Sequence, residues 1–370
     1  MKLNLFFTAL LPSALAANSW AGANNYYLYA LPQVDRLAIL SGMQSAGMKV
    51  LRTWVTGFGA GQKASNNVAV HDLEANGLGT YNDTVLDLID QLMVDAHSYG
   101  NDSYSSWLLA GDMDSAGVKL LIGMYDQNAL RGGDNYNATY GLEGFYTNAS
   151  AISTFNDRIN HILSTHKNAL LGNRSWSELS DYIFGLEAQN EPMIFNQTLY
   201  LSHLSWICDT AQQIRNNVAD ANQLIFTGGG SAGASVQPIF FNSSCAAIDV
   251  VAIHDYTDGY DSYIPATISQ AKAAGKKLIV EEWGSLVGSG RTANLNSNVQ
   301  KINSYKLPFL YWELISNPDP HQGEDYEIQV NATDADWILL SNASLTAAAL
   351  TDAPFDFSAA LALDTSGTDI

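Results

Sequence analysis

Short apolar runs alternate with amphipathic segments along most of the chain, from about residue 23 to residue 350. The apolar runs are rich in Val, Ile and Leu and do not alternate with polar residues, as is typical of strands buried on both faces of a parallel sheet. Strands are predicted at Ala23–Leu28, Val50–Val55, Val118–Tyr125, Tyr182–Ala188, Leu224–Thr227, Val250–His254, Leu278–Glu282 and Phe309–Trp312. Helices are predicted at Val34–Ala46, Ala149–Ser164, Leu199–Ala219, Tyr263–Ala274 and Ala293–Ser304. Eight strands in this rhythm predict a single α/β domain, a (β/α)₈ TIM barrel, with a doubly wound sheet as second choice.

The ends of the chain differ from this pattern. Lys2, the apolar residues 5–11 and the small residues 14–16 predict a secretory signal peptide over residues 1–17. We therefore expect the barrel to span residues 18–352 and residues 353–370 to form a C-terminal tail. Long connections at 57–79 and 83–116 follow the second strand, and the later one has room for one or two extra helices. Such loops usually build the ligand cleft of a barrel.

Composition limits the partners of this chain. Its 370 residues carry a formal net charge of −20, which repels nucleic acid and anionic membranes and suits a neutral substrate. Outside the N-terminus no apolar run could span a bilayer. We expect a secreted, extracellular monomer. Nine Asn-x-Ser/Thr sequons agree with secretion: Asn82, Asn101, Asn137, Asn148, Asn173, Asn196, Asn242, Asn331 and Asn342. Cys208 and Cys245 could form a disulfide or remain two buried thiols, and the sequence leaves both open.

Two predicted strands each end in a glutamate. The fourth runs into Asn190-Glu191-Pro192, and the seventh runs into Glu282-Trp283-Gly284. Carboxylates at the C-terminal ends of barrel strands stand at the mouth of the barrel. Two that face one cleft can break a glycosidic bond, one as general acid/base and one as nucleophile. Glu281 also ends the seventh strand, but alternation predicts that it points away from the face of Glu282.

These strand-end motifs resemble those of the retaining (β/α)₈ glycoside hydrolases, most closely family 5. The resemblance implies that Glu191 is the acid/base and Glu282 the nucleophile, without a cofactor. It also implies supporting roles: Asn190 bonds the sugar 2-hydroxyl, Arg52 lies near the nucleophile, His254 borders the acid/base, Tyr256 bonds the nucleophile, and Trp312 forms the sugar platform.

Physical chemistry agrees with such roles. An acid needs a raised pKa, which we expect for Glu191 in a partly apolar site beside a second carboxylate. A sugar ring offers an apolar face to aromatic side chains, so Trp54, Trp283 and Trp312 are candidates for stacking.

The substrate is predicted from a narrower resemblance. Arg52-Thr53-Trp54, the segment 124–128 and Gly132-Gly133 resemble the fungal endo-β-mannanase branch. The chain departs from many family members in lacking a histidine after the third strand. We expect a neutral β-linked polysaccharide, with β-1,4-mannan first and β-glucan second.

The sequence leaves three other classes of function open. Residues 229–233 fit the Gly-x-Ser-x-Gly pattern, which would make Ser231 the nucleophile of a serine hydrolase. The overlapping Gly-x-Gly-x-x-Gly pattern is a weak dinucleotide signal, because Pro238 interrupts the segment that follows. A non-catalytic carbohydrate-binding barrel would keep the aromatic residues. No His-Glu-x-x-His, clustered Cys/His or Walker motif occurs, so we expect no catalytic metal.

Overall fold

A computed structural model describes residues 18–98, 117–285 and 288–363. The predicted signal peptide, the sequon at Asn101 and the last seven residues of the predicted tail lie outside these ranges. Eight parallel strands close into a barrel in chain order. They are β1 (Ala21–Asn24), β2 (Val50–Trp54), β3 (Lys119–Gly123), β4 (Ile183–Glu187), β5 (Leu224–Phe226), β6 (Val250–His254), β7 (Lys277–Trp283) and β8 (Phe309–Tyr311). The predicted (β/α)₈ barrel is confirmed.

Helices surround the barrel and follow the predicted rhythm. They are α1 (Gln33–Ser45), α2 (Thr84–Ser98), α3 (Gln127–Arg131), α4 (Asn135–Thr147), α5 (Ala149–Asn160), α6 (Gln197–Ser202), α7 (Leu204–Asn217), α8 (Ile264–Ala274), α9 (Arg291–Ser304), α10 (Ala335–Ala349) and α11 (Ser358–Leu361). A two-stranded parallel sheet, β9 (Leu314–Ile315) and β10 (Ile328–Gln329), follows β8. Among the described residues, none of the helices has the length and apolar character needed to cross a membrane.

Two predicted elements differ from the structure. The first strand ends at Asn24 rather than Leu28, because the Asn25 side chain accepts a hydrogen bond from the Tyr27 amide and turns the chain into a helical turn. The predicted helix Leu199–Ala219 is interrupted at His203, whose backbone is not helical. Local side-chain bonds of this kind compete with regular structure.

Aromatic side chains cover the amino end of the barrel. Trp20, just before β1, packs edge-on against Phe184 of β4 and Phe357, with ring centroids 5.1 and 5.6 Å away. The segment beyond residue 352, predicted as a tail, thus packs on the barrel where the structure describes it. Lys119 of β3 holds the same segment, since its ammonium donates to the Ala360 carbonyl at 2.9 Å.

Two long-range links fix loops around the barrel. Cys208 of α7 and Cys245 are joined in a disulfide, which ties α7 to the β5–β6 connection. Arg158 of α5 is fully buried and donates to the Val55 and Met124 carbonyls, just beyond β2 and β3. It also pairs with Asp72. The loop after β2 is therefore held against the carboxyl end of the barrel.

β7 carries an irregularity that shapes this end of the barrel. Ile253 pairs with Val280, but the next residue, His254, pairs with Glu282. Glu281 is thus the extra residue of a bulge. Bulges re-aim side chains and are frequent beside functional sites.

Candidate active site

The two predicted catalytic glutamates meet at the carboxyl end of the barrel. Glu191 follows β4 and Glu282 lies in β7, and a carboxylate oxygen of each lies within 4.8 Å of the other. Their side chains are 19% and 7% exposed, so both reach the surface of a shared opening. The predicted convergence of these residues is confirmed.

A strained turn presents Glu191. Its φ is 50°, in the left-handed region that a residue other than glycine rarely adopts. Its amide donates to the Gly228 carbonyl at 2.8 Å, which fixes the turn against the loop after β5. Strain of this kind costs about 1–3 kcal/mol and persists where the surroundings enforce it.

Arg52 of β2 lies beneath the pair and is fully buried. One terminal nitrogen donates to Glu282 at 2.7 Å, and the other donates to Glu187 at 2.7 Å and to Asn190 at 2.8 Å. The guanidinium therefore holds the Glu282 carboxylate as an anion and orients the Asn190 amide. The predicted positions of Arg52 and Asn190 beside the glutamates are confirmed.

A tyrosine holds the other oxygen of Glu282. The Tyr256 hydroxyl donates to Oε1 of Glu282 at 2.8 Å. Its ring stacks on Tyr326, in the loop between β9 and β10, with centroids 4.6 Å apart. Both oxygens of Glu282 thus accept hydrogen bonds from groups that do not move freely.

His254 bridges two carboxylates. Its Nδ1 lies 3.1 Å from Glu191 and its Nε2 lies 3.0 Å from Glu281. Gly229 packs against the ring, since a Cβ added there would lie 2.2 Å from Nε2. The histidine ring is therefore fixed on both edges and on one face.

The orientation predicted for Glu281 is wrong. Glu281 and Glu282 both approach the same cations: Glu281 lies 3.5 Å from Arg52, and Glu282 lies 2.7 Å from it. The β7 bulge is the reason, because an extra residue cancels the alternation that would separate neighbouring side chains. Glu281 is fully buried, so Glu282 remains the carboxylate that reaches the opening.

The acidities of the two exposed carboxyls also differ from expectation. Burial favours a higher pKa for Glu191, but the hydrogen bond and charge of His254 outweigh burial and lower that pKa. Burial raises the pKa of Glu282, against the charges of His254 and Arg52. In the folded protein the pKa of Glu191 therefore lies below its ordinary value and the pKa of Glu282 above it.

The histidine carries much of this effect. Burial opposes its charge, yet Glu282, Glu191 and Glu281 raise the pKa of His254 to about 10. The raised pKa predicted for Glu191 is wrong, because that prediction did not count His254 as a cation.

The aromatic residues of the site differ in whether they present a ring face or support a ring that does. Trp312, just after β8, is half-buried, and its ring stacks on Trp54 with centroids 5.6 Å apart and on Tyr26 at 5.9 Å. Trp54 is only 2% exposed, so it supports the platform and has no free face for a sugar. The stacking role predicted for Trp283 is wrong, because its ring is fully buried edge-on against Tyr311 and Phe309.

Several residues of the site were missed from the sequence. Glu187 and Glu281 bind the cations of the site, and Asp126 accepts from the Asn190 amide at 3.1 Å. Glu187 had a signal, since in an extended segment it shares a face with Glu191. Burial raises the pKa of Asp126 to about 6, against the hydrogen bond from Asn190. Asp126 lies in the segment 124–128, which was interpreted only through its resemblance to the fungal endo-β-mannanase branch.

The glycine-rich segment after β5 has a structural role. A Cβ on Gly228 would lie 2.0 Å from the Gln189 carbonyl, and one on Gly229 would meet His254. Both ring nitrogens of His254 are engaged by glutamates, and His321 bonds Glu327. His254 and His321 are therefore already engaged by glutamates, and the serine hydrolase alternative finds no support.

Carboxylate and imidazole groups of this site could in principle hold a cation, since Glu191, His254 and Glu282 lie within 4.8 Å of one another. Arg52 and Tyr256 already donate to the Glu282 oxygens. Metal independence stays a prediction.

Comparison with known proteins identifies a family. Residues 17–318 match the family described as Cellulase (glycosyl hydrolase family 5). Mannan endo-1,4-beta-mannosidase A of Aspergillus aculeatus is 25% identical over 72% of this chain and 69% of its own length. Mannan endo-1,4-beta-mannosidase F of Aspergillus fumigatus is 24% identical over 82% of this chain and 69% of its own.

Solved structures show the same fold. The endo-1,4-beta-mannanase of Rhizomucor miehei aligns with a TM-score of 0.64 at 19% identity, covering 91% of this chain and 99% of that one. The endo-1,4-beta-D-mannanase of Thermotoga petrophila RKU-1 aligns with a TM-score of 0.65 at 17% identity, covering 88% and 99%.

Proposed function

The chain belongs to glycosyl hydrolase family 5, and from that premise we propose that it is a secreted, retaining endo-β-1,4-mannanase. The observation that carries this proposal is the approach of Glu191 and Glu282 to within 4.8 Å, with different partners. Retaining enzymes keep their carboxyl groups about 5–5.5 Å apart, whereas inverting enzymes need about 6.5–9.5 Å to fit a water molecule.

In the first step, Glu282 attacks the anomeric carbon from one side. The bond from that carbon to the glycosidic oxygen breaks, Glu191 gives its proton to the departing oxygen, and an ester forms between Glu282 and the sugar. Arg52 and Tyr256 hold the Glu282 oxygens in place before the attack. Glu282 therefore enters the reaction oriented, and Arg52 favours its ionised form against the effect of burial.

In the second step, Glu191 acts as a base. It takes a proton from water, the water oxygen bonds to the anomeric carbon, and the ester breaks to release Glu282. Two inversions give net retention. We assign Asn190 to the 2-hydroxyl, supported by its hydrogen bonds with Arg52 and Asp126, and Trp312 to the sugar ring.

The mannan assignment rests on the relatives. The proteins from Aspergillus and the structures from Rhizomucor miehei and Thermotoga petrophila are named for mannan or mannanase. The family description names cellulase, so β-glucan is the second candidate.

Secretion is supported by the N-terminal pattern and by the placement of the sequons. Asn148, Asn173, Asn242 and Asn342 are exposed. The disulfide between Cys208 and Cys245 suits an oxidising compartment.

A substrate panel tests the proposal. Purified protein should release short oligosaccharides from β-1,4-mannan faster than from β-glucan or xylan. NMR of the first products should show the β-anomer, since configuration is retained. Faster release from β-glucan would favour the second candidate, and a first product in the α-form would contradict retention.

A further inference from the structure

Two buried glutamates stand behind the cations of the site. Arg52 contacts Glu282 on one side and Glu187 on the other, and His254 contacts Glu191 on one side and Glu281 on the other. Neither Glu187 nor Glu281 has exposed surface. Each carboxylate that reaches the opening is thus held by a cation that has a second, hidden carboxylate as its partner.

We propose that Glu281 is a positioning residue that makes His254 the proton store of Glu191. This inference rests on the acid/base role proposed for Glu191. Glu281, His254 and Glu191 form one line of contacts, with separations of 3.0 and 3.1 Å. Because Glu281 meets Nε2, the other nitrogen, Nδ1, always faces Glu191.

Proton bookkeeping along this line is simple. With two ring protons, His254 donates from Nε2 to Glu281 and from Nδ1 to Glu191. Transfer of the Nδ1 proton breaks that N–H bond and forms an O–H bond on Glu191, which then is the acid the first step needs. The neutral ring keeps the proton on Nε2, which still donates a hydrogen bond to Glu281. In the second step Glu191 gains a proton from water and can return it to Nδ1.

Within the described part of the chain, Glu281 is the hydrogen-bond partner of Nε2 of His254. Gly229 packs on the ring so closely that a Cβ would lie 2.2 Å from Nε2. His254 is 2% exposed and Glu281 is fully buried, so water does not compete along this edge. Without the Glu281 carboxylate, the imidazolium would lose the anion that faces its inner nitrogen.

Other charges around the ring act in known directions. Glu282 approaches Nδ1 at 3.7 Å and favours the imidazolium, as Glu191 does. Arg52 opposes it, and Glu187 lies close enough to interact. Glu281 is the partner whose change leaves both carboxylates of the opening intact, and its other cation contact is Arg52 at 3.5 Å.

The test is Glu281→Gln, which keeps the shape and an oxygen acceptor but removes the charge. NMR of ¹³C-labelled histidine should show the pKa of His254 falling by at least about one pH unit from its value near 10. The alkaline limb of kcat/KM should move to lower pH with it, because the shared proton is lost sooner. KM should stay within about twofold, because Glu281 is fully buried and does not reach the opening.

Glu74→Gln is the matched control. Glu74 is also buried, and it accepts from Tyr136 and pairs with Arg158 away from the two carboxylates. This variant should lose stability without moving the His254 pKa or the pH profile. An equal shift in both variants would overturn the proposal, because the effect would then be one of burial alone.

Other outcomes separate this inference from the proposed function. Failure to cleave any glycan would refute the function, whereas an active enzyme whose alkaline limb stays put, or moves up, in Glu281→Gln would refute the proton store. If Glu281→Gln does not fold, Glu281→Asp should give a smaller fall in the same pKa. A wild-type His254 that titrates near 6.5, the ordinary value, would also overturn the proposal.

Discussion

Charged side chains fill the carboxyl end of the barrel, and aromatic rings cover its amino end. At the carboxyl end Arg52 meets Glu187, Glu281 and Glu282 within 3.5 Å. At the amino end Trp20 meets Phe184 and Phe357 edge-on. β4 contributes Phe184 to one end and Glu187 to the other, so a single strand holds opposite chemistry. Burial stabilises the fold at one end and tunes reactivity at the other.

The two ends differ in what burial costs. Buried charges lose hydration that their partners only partly replace. Within the described part of the chain, Arg52 Nε, Glu187 Oε2 and Glu281 Oε1 have no hydrogen-bond partner. The aromatic rings of the amino end gain from burial, and of the three rings named there only Trp20 has a polar atom, its indole nitrogen, which is buried without a hydrogen-bond partner among the described residues. The fold is therefore expected to draw stability from the amino end and to lose some of it at the site.

Removing the proposed nucleophile should give the largest effect. Glu282→Gln leaves Arg52 and Tyr256 with an uncharged partner that cannot attack the sugar. We expect kcat/KM on mannan to fall by at least about a thousandfold. The melting temperature should hold or rise, because one of three carboxylates around Arg52 loses its charge. Steady-state kinetics and thermal unfolding measure the two quantities.

Chemical rescue sharpens this prediction. In Glu282→Ala, azide should occupy the space of the lost carboxylate. With an activated aryl β-mannoside as substrate, the expected product is an α-glycosyl azide. Activity of Glu282→Gln near that of the wild type would remove Glu282 as nucleophile.

Truncation at the amino end should give the converse result. Phe357 is 2% exposed and packs on Trp20 and Phe184. Phe357→Ala should lower the free energy of unfolding by about 3–5 kcal/mol, because it leaves a cavity. The kcat of the folded enzyme should stay the same. Urea unfolding and kinetics below the transition check both.

Val34→Ala is the control for this truncation. Val34 is 74% exposed, so its replacement should change the free energy of unfolding of the protein by at most about 0.5 kcal/mol. A Phe357→Ala variant that lost kcat as well would show that the two ends are coupled through the barrel.

Much of this contrast could be predicted from the sequence, because it depends on local patterns. The apolar runs predicted eight strands, and residues at their ends, such as Glu191, Glu282 and Arg52, predicted the site. The predictions that failed concern features that are set by pairing between strands. The bulge at Glu281 depends on the register of β7 against β6, which no local alternation contains.

The prediction of the Glu191 pKa failed for a related reason. The lowered pKa of Glu191 comes from His254, whose own charge depends on Glu281 and Glu282. Three strands supply these groups, so no segment read alone shows the balance. The burial of Trp283 was also invisible, because strand-end aromatics face either the opening or the helices.

A second histidine outside the site gives the smallest and most selective test. His166, in the connection between α5 and β4, also lies between two carboxylates, 2.9 Å from Asp90 and 3.3 Å from Asp83. Burial favours its neutral form, but Asp90 and Asp83 outweigh burial and raise the pKa of His166. The folded state therefore binds this proton more tightly than the unfolded chain does.

The resulting stabilisation is complete below about pH 6, near the unfolded value, and is lost as pH rises through the folded pKa. His166→Gln should lower the free energy of unfolding by roughly 1–2 kcal/mol at pH 5, and by less at pH 9. The pH profile of kcat/KM should not move, in contrast to that of Glu281→Gln. Urea unfolding at both pH values decides the matter, because an equal loss at each would mean that His166 acts by packing and not by charge. Two carboxylates that flank a histidine would then control its protonation only at a site like that of His254, where one of the two, Glu191, is proposed to contact the substrate.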